Sequence, residues 1–136
     1  MSEALPAHRD PHIIAESTRA LVTLNELTPA LRVAILLTDD GFEIARYPES
    51  ETTEQRLPSM ASSLQALSDA VVRELTLGTS RFSLIEAAEG RVIMRRIPGH
   101  PIGFAAVFGE EEAVGQAISL SRRVVDDLLA ALEPPQ

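Results

Sequence analysis

The stretch Arg32-Val-Ala-Ile-Leu-Leu-Thr-Asp-Asp-Gly-Phe-Glu-Ile-Ala-Arg-Tyr47 decides how the rest of the chain must be arranged. Residues 32–38 are β-prone and apolar, the pattern of a central strand covered on both faces. Asp39-Asp40-Gly41 is a hairpin signal. After it, residues 42–47 alternate, with Phe42 and Ile44 on one face and Glu43 on the other. A fully covered strand that turns back on a half-covered one requires an antiparallel sheet with helices on both of its faces.

The other elements flank this hairpin on both sides. Before the hairpin, Ile13, Ile14, Ala20, Leu21, Leu24 and Leu27 fall on one face of a helix over residues 12–27, which Thr28-Pro29 stops. Residues 1–11 carry two prolines and mixed charges and read as a flexible tail. After the hairpin, residues 48–53 form a polar, acidic loop. The longest helical pattern follows over residues 55–77, with Leu57, Met60, Leu64, Leu67, Val71 and Leu75 as its buried stripe. Pro58 belongs in the first turn of that helix, and Gly78 is placed as its C-cap. Residues 82–87 and 91–97 are strands joined at Glu89-Gly90. A Pro98-Gly99-His100-Pro101 loop leads to a last strand over 102–108, again apolar throughout. Glu110, Glu111 and Glu112 sit where a helix N-terminus favours negative charge. The closing helix runs to about Leu132, burying Val114, Ala117, Ile118, Val124, Val125 and Leu128.

The order is therefore α-β-β-α-β-β-β-α. It implies an α/β sandwich with a five-stranded, mostly antiparallel sheet. The first and fifth strands should be neighbours, which leaves the second and third at the edges. Residues 12–133 make one domain, flanked by tails at 1–11 and 134–136.

Composition narrows the function. The chain has 136 residues and a net charge of −8, so a phosphate backbone or an anionic membrane would repel it. All 12 basic residues are Arg. The pairs Arg95-Arg96 and Arg122-Arg123 read as solvated. Without Lys there is no Schiff base and no P-loop lysine. Without Cys there is no thiolate nucleophile and no cysteine-bound metal. No apolar run reaches the roughly 20 residues of a membrane helix, and the first residues are not a secretory signal. A cytoplasmic place is expected.

Little in the sequence points to chemistry. His8 and His12 have ligand spacing, but Pro11 intervenes and no third ligand is near, so a solvated tail is the simpler reading. His100 reads as an exposed turn residue. Asp39-Asp40-Gly41 resembles the start of a calcium loop, yet Ile44 and Tyr47 stand at later ligand positions. No nucleophile elbow or phosphate loop is present. Neither enzyme activity, cofactor nor metal is expected.

The informative features are surfaces. Opposite the stripe of the middle helix lie Ser59, Ser62, Ser63, Ala66, Asp69, Ala70 and Arg73. Solvated helix faces usually carry long charged side chains. Here Ser59, Ser63, Ala66 and Ala70 form a smooth ridge that suits helix–helix packing, the alternative being a solvated Ser/Ala face. The third strand, with Phe82, Ser83, Leu84 and Ile85, is an apolar edge without Pro or an early charge, and such edges are usually protected. A second copy would protect it, edge to edge and helix to helix.

The element order, the 33–45 stretch, the Ser/Ala/Leu-rich helix over 57–75 and Gly90-Arg-Val-Ile-Met-Arg95 together resemble the Roadblock / dynein light chain family, over roughly residues 12 to 132. The resemblance implies a profilin-like/Roadblock fold and a homodimer in which third strands and second helices meet. It further implies docking of a small Ras-like GTPase, with one bacterial branch stimulating hydrolysis without an arginine finger and other members serving as scaffolds or motor light chains. Arg73 is the arginine this face would offer in trans, but repositioning of the GTPase's own groups is the preferred route. The resulting expectation is a non-catalytic homodimeric regulator or scaffold of a GTPase. The alternative is a structural adaptor that assembles a complex without one.

Overall fold

Helix α1 (Pro11–Leu27) begins where an Asp and a Pro stand together. Asp10 accepts hydrogen bonds from the N–H groups of His12 and Ile13 at 2.9 and 3.3 Å. Pro11 occupies a position whose N–H would have no partner anyway. The computed structural model describes residues 5–49 and 55–133. Residues 1–4 of the expected tail, 50–53 of the acidic loop and the tail at 134–136 lie outside them. The rest of the segment read as a tail carries structure. Ala7–Arg9 forms a 3-10 turn, Ala7 packs against the core, and His8 stacks on Phe42 with ring centroids 4.6 Å apart. His8 and His12 therefore do not share a helical face.

Strands β1 (Leu31–Thr38) and β2 (Glu43–Tyr47) form the hairpin. Gly41 turns the chain at φ +93°, and its N–H donates to the Thr38 carbonyl at 2.9 Å. The Thr38 hydroxyl donates to Asp40 Oδ1 at 2.6 Å and accepts from the Phe42 N–H at 2.9 Å. Those bonds hold Phe42 in the turn, so β2 starts one residue later than the alternation predicts. Ile44 and Ala45 are buried, and Phe42 is exposed.

The remaining elements are α2 (Leu57–Glu74), β3 (Ser83–Ala87), β4 (Gly90–Arg96), β5 (Ile102–Gly109) and α3 (Val114–Leu132). The five strands form one sheet in the order β2-β1-β5-β4-β3, with every pairing antiparallel. β1 and β5 are neighbours and β2 and β3 are edges, as their apolar patterns require. One face is covered by α1 and α3, where Leu21, Leu24, Leu120 and Leu128 pack with Phe104 and Phe108. Each such large side chain contributes roughly 1.5–3 kcal/mol on full burial. The other face holds a smaller core, in which Val33, Ile35, Leu37, Met94 and Ala105 pack with Ala61 of α2.

Several local expectations need correction. Glu110, Glu111 and Glu112 are not in a helix, because a turn closed by Glu112 N–H on the Gly109 carbonyl separates β5 from α3. The first turn of α3 contains no acid. The C-cap of α2 is Leu75, and the left-handed residue that follows it is Thr76 and not Gly78. Thr76 N–H donates to the Arg73 carbonyl and Leu77 N–H to the Val72 carbonyl, the bond pair of a Schellman motif with Thr76 in the left-handed position. His100 is half-buried and not exposed. Among the described residues no helix is long and apolar enough to cross a membrane.

Candidate interaction surface

Pro58 and Ala61 of α2 are buried, with Leu57 and Leu64 partly so against the smaller core. A residue as small as Ala61 at the centre lets the helix lie close to the sheet. Polar anchors then fix its rotation. Arg96 of β4 bridges Asp39 of the hairpin turn at 2.8 Å and Asp69 of α2 at 2.7 Å. The Ser62 hydroxyl donates to the Asp39 carbonyl at 2.7 Å, and the hydroxyls of Ser68 and Ser83 share a hydrogen bond of 2.9 Å.

These anchors reverse part of the expected helix phase. Ser62 and Asp69, read as lying opposite the core, take part in anchoring α2 to the hairpin and to β4. Met60, Leu67 and Val71, read as core, are exposed at 56%, 60% and 49%. Leu75, read with them, lies past the helix end and is exposed as well. The small residues keep their predicted side: Ser59, Ser63 and Ala66 are exposed and Ala70 is half-buried. Arg73 is exposed near the C-terminal end of the helix. The open face of α2 is thus a Ser/Ala ridge flanked by large apolar side chains. The sequence does carry a signal for this. Spacings of three and four through Leu57, Met60, Leu64, Leu67 and Val71 are those of a helix–helix seam.

Strand β3 pairs with β4 along one side and is an edge of the sheet on the other. Leu84 and Ile85 point to opposite faces and both are exposed. Ser83, held by Ser68, is half-buried. Phe82 precedes the strand and lies beneath the Arg95 guanidinium, 4.8 Å from ring centroid to Cζ. Arg95 is not freely solvated, as its sequence pair with Arg96 suggested. It donates to Ser121 Oγ at 2.7 Å and to the Ile118 carbonyl at 3.1 Å, tying β4 to α3. Of the twelve large hydrophobics exposed among the described residues, eight fall between Met60 and Ile85. Apolar side chains scattered singly need no explanation, but a concentration along one helix and the adjoining strand makes this face the candidate interaction surface.

Two titratable groups are held away from their ordinary values. The Thr38 hydroxyl, helped by a backbone N–H, holds the Asp40 carboxyl below the usual carboxylate value. Burial, reinforced by the charge of Arg122, lowers Arg95. Both have local structural causes.

Residues 19–98 match the family model described as the Roadblock/LC7 domain. The chain belongs to the Roadblock/LC7 family. Its fold is that of a Roadblock/LC7 domain from Streptomyces avermitilis, 16% identical, with a TM-score of 0.76 over 85% of this chain and 96% of that one. MglB of Myxococcus xanthus is similar in fold at 15% identity, with a TM-score of 0.72 over 90% of this chain and 95% of that one. Profilin IB of Acanthamoeba castellanii, 16% identical with a TM-score of 0.61 over 84% and 96%, shows the same architecture. No curated protein matches the chain by sequence. At these identities the likeness is one of fold. In this Roadblock/LC7 chain the matched segment ends just after β4, so it contains both α2 and β3.

Proposed function

We propose that this chain is a non-catalytic regulator or scaffold that forms a homodimer through α2 and β3 and docks a small Ras-like GTPase in the cytoplasm. The observation that carries the reading is the continuity of two unpartnered features. The apolar open face of α2 is followed directly in the chain by the bare edge of β3. A two-fold pairing of copies would bury both at once, because an isologous contact joins each element to its own counterpart. The smooth Ser59/Ser63/Ala66/Ala70 ridge would let the two helices approach closely, with Met60, Leu67 and Val71 filling the groove beside it. The GTPase is supported by family membership and not by a pocket in this chain.

Pull-downs with the GTPases encoded beside this gene, loaded with either nucleotide, test the partner. Capture that depends on the nucleotide is the expected result. A stable dimer that captures none of them in either state would turn the reading to an adaptor without a GTPase.

A further inference from the structure

Between α3 and the segment leading into β3 lies a cavity of about 910 Å³, within the size range of small-molecule sites. Arg81, Arg95, Arg96 and Arg122 line it. Arg96 is neutralised by Asp39 and Asp69. The other three form no ion pair among the described residues. Arg95 is held in place by neutral acceptors, Ser121 Oγ, the Ile118 carbonyl and, at 3.4 Å, the Arg81 carbonyl. These bonds orient its guanidinium without cancelling its charge. Asp126 is on the cavity wall too, and it offsets only one of the three cations.

Arg81 and Arg122 are solvated, but Arg95 is half-buried, and three like charges around one recess create a positive field that favours an anion there. Guanidinium forks match phosphate oxygens in geometry as well as charge. The first turn of α3 adds to the same recess. Gly115 lines the cavity, and nothing lies within 4 Å of where its Cβ would be. Ala113 caps α3 without any side-chain hydrogen bond, so the free N–H groups of the turn stay available to an anion. Phe82, Ile118 and Val125 supply an apolar wall beside the charges.

We propose that this cavity binds a small organic molecule through a phosphate or diphosphate group, held by Arg81, Arg95, Arg122 and the first turn of α3. Calorimetric titration of the full chain with inorganic pyrophosphate at low salt tests it. Saturable binding of one pyrophosphate per chain is expected. Arg122→Glu and Arg81→Glu, both at exposed positions where the fold is not at stake, should each weaken it roughly tenfold or more. Arg19→Glu makes the same charge change on α1 and should leave the affinity unaltered. Absence of saturation at millimolar pyrophosphate would overturn the assignment. Equal weakening in all three variants would do so too, since it would show a response to overall charge alone.

Discussion

Thr76 stands at φ +55°, a conformation that a β-branched residue adopts only when its surroundings impose it. It follows the C-cap Leu75 of α2, at the position where Gly is the usual occupant. Replacement by Gly removes the steric cost of about 1–2 kcal/mol and gives part of it back as greater freedom of the unfolded chain. Thr76→Gly should therefore stabilise the fold by roughly 0.5–1 kcal/mol, read as a higher urea midpoint at unchanged slope. An equal or lower midpoint would show that the left-handed turn costs nothing here. Asp40 gives a prediction in pH. Its carboxyl is held below its ordinary 3.8, chiefly by the Thr38 hydroxyl. The ionised form is thus favoured by folding, and that contribution is fully present above 3.8 and lost as pH falls through the lowered folded value. Asp40→Asn should be less stable than the parent at neutral pH, and the gap should close in acid. A gap that stays constant across denaturation curves at neutral and acid pH would contradict this. At this scale the sequence was readable where residue type alone decides. Gly41 announced its turn. The left-handed position at Thr76 was hidden because the chain places a Gly two residues further on, where such a turn was equally plausible by type.

Helix α2 was legible in period and only partly in phase. Apolar residues at seam spacing establish a helix, but α2 carries apolar residues on two flanks, and nothing local says which one meets the chain's own sheet. The choice is made by contacts distant in sequence, the bridge from Arg96 to Asp39 and Asp69 and the bond from Ser62 to Asp39. By contrast, the sheet order was readable because β1 and β5 are apolar on both faces and only central positions can satisfy that. The phase now separates folding from association. Leu67 is 60% exposed and Ile85 44% exposed, so a charge at either position meets water in the isolated chain and costs little there. Across a dimer contact the same charge would be buried without a partner, at roughly 3–5 kcal/mol. Leu67→Glu and Ile85→Glu should each weaken self-association a hundredfold or more while leaving the circular dichroism spectrum intact. Ala66→Arg should act in the same direction on the ridge. Light scattering on the three variants and the parent decides, and a parent that is monomeric at micromolar concentration would remove the dimer altogether.

For the whole molecule the opposing terms are charge and apolar surface. Two copies of a chain with net charge −8 repel each other, and that repulsion is screened over about 10 Å at 0.1 M salt. The apolar strip between Met60 and Ile85 is insensitive to such screening. Added salt should therefore tighten the dimer, the reverse of what a contact built on opposite charges would show. If the folded state is the dimer, its stability must also depend on concentration, because dimerisation removes folded monomer by mass action. A tenfold rise in chain concentration adds about 1.4 kcal/mol per dimer. With an unfolding entropy of about 2.1 cal/mol/K per residue, that amounts to a rise in Tm of roughly 2–3 °C per tenfold. Leu67→Glu should abolish the dependence, since its folded state would be a monomer at every concentration. A parent Tm that is flat from micromolar to millimolar concentration would mean that α2 and β3 are covered by something other than a second copy of this chain.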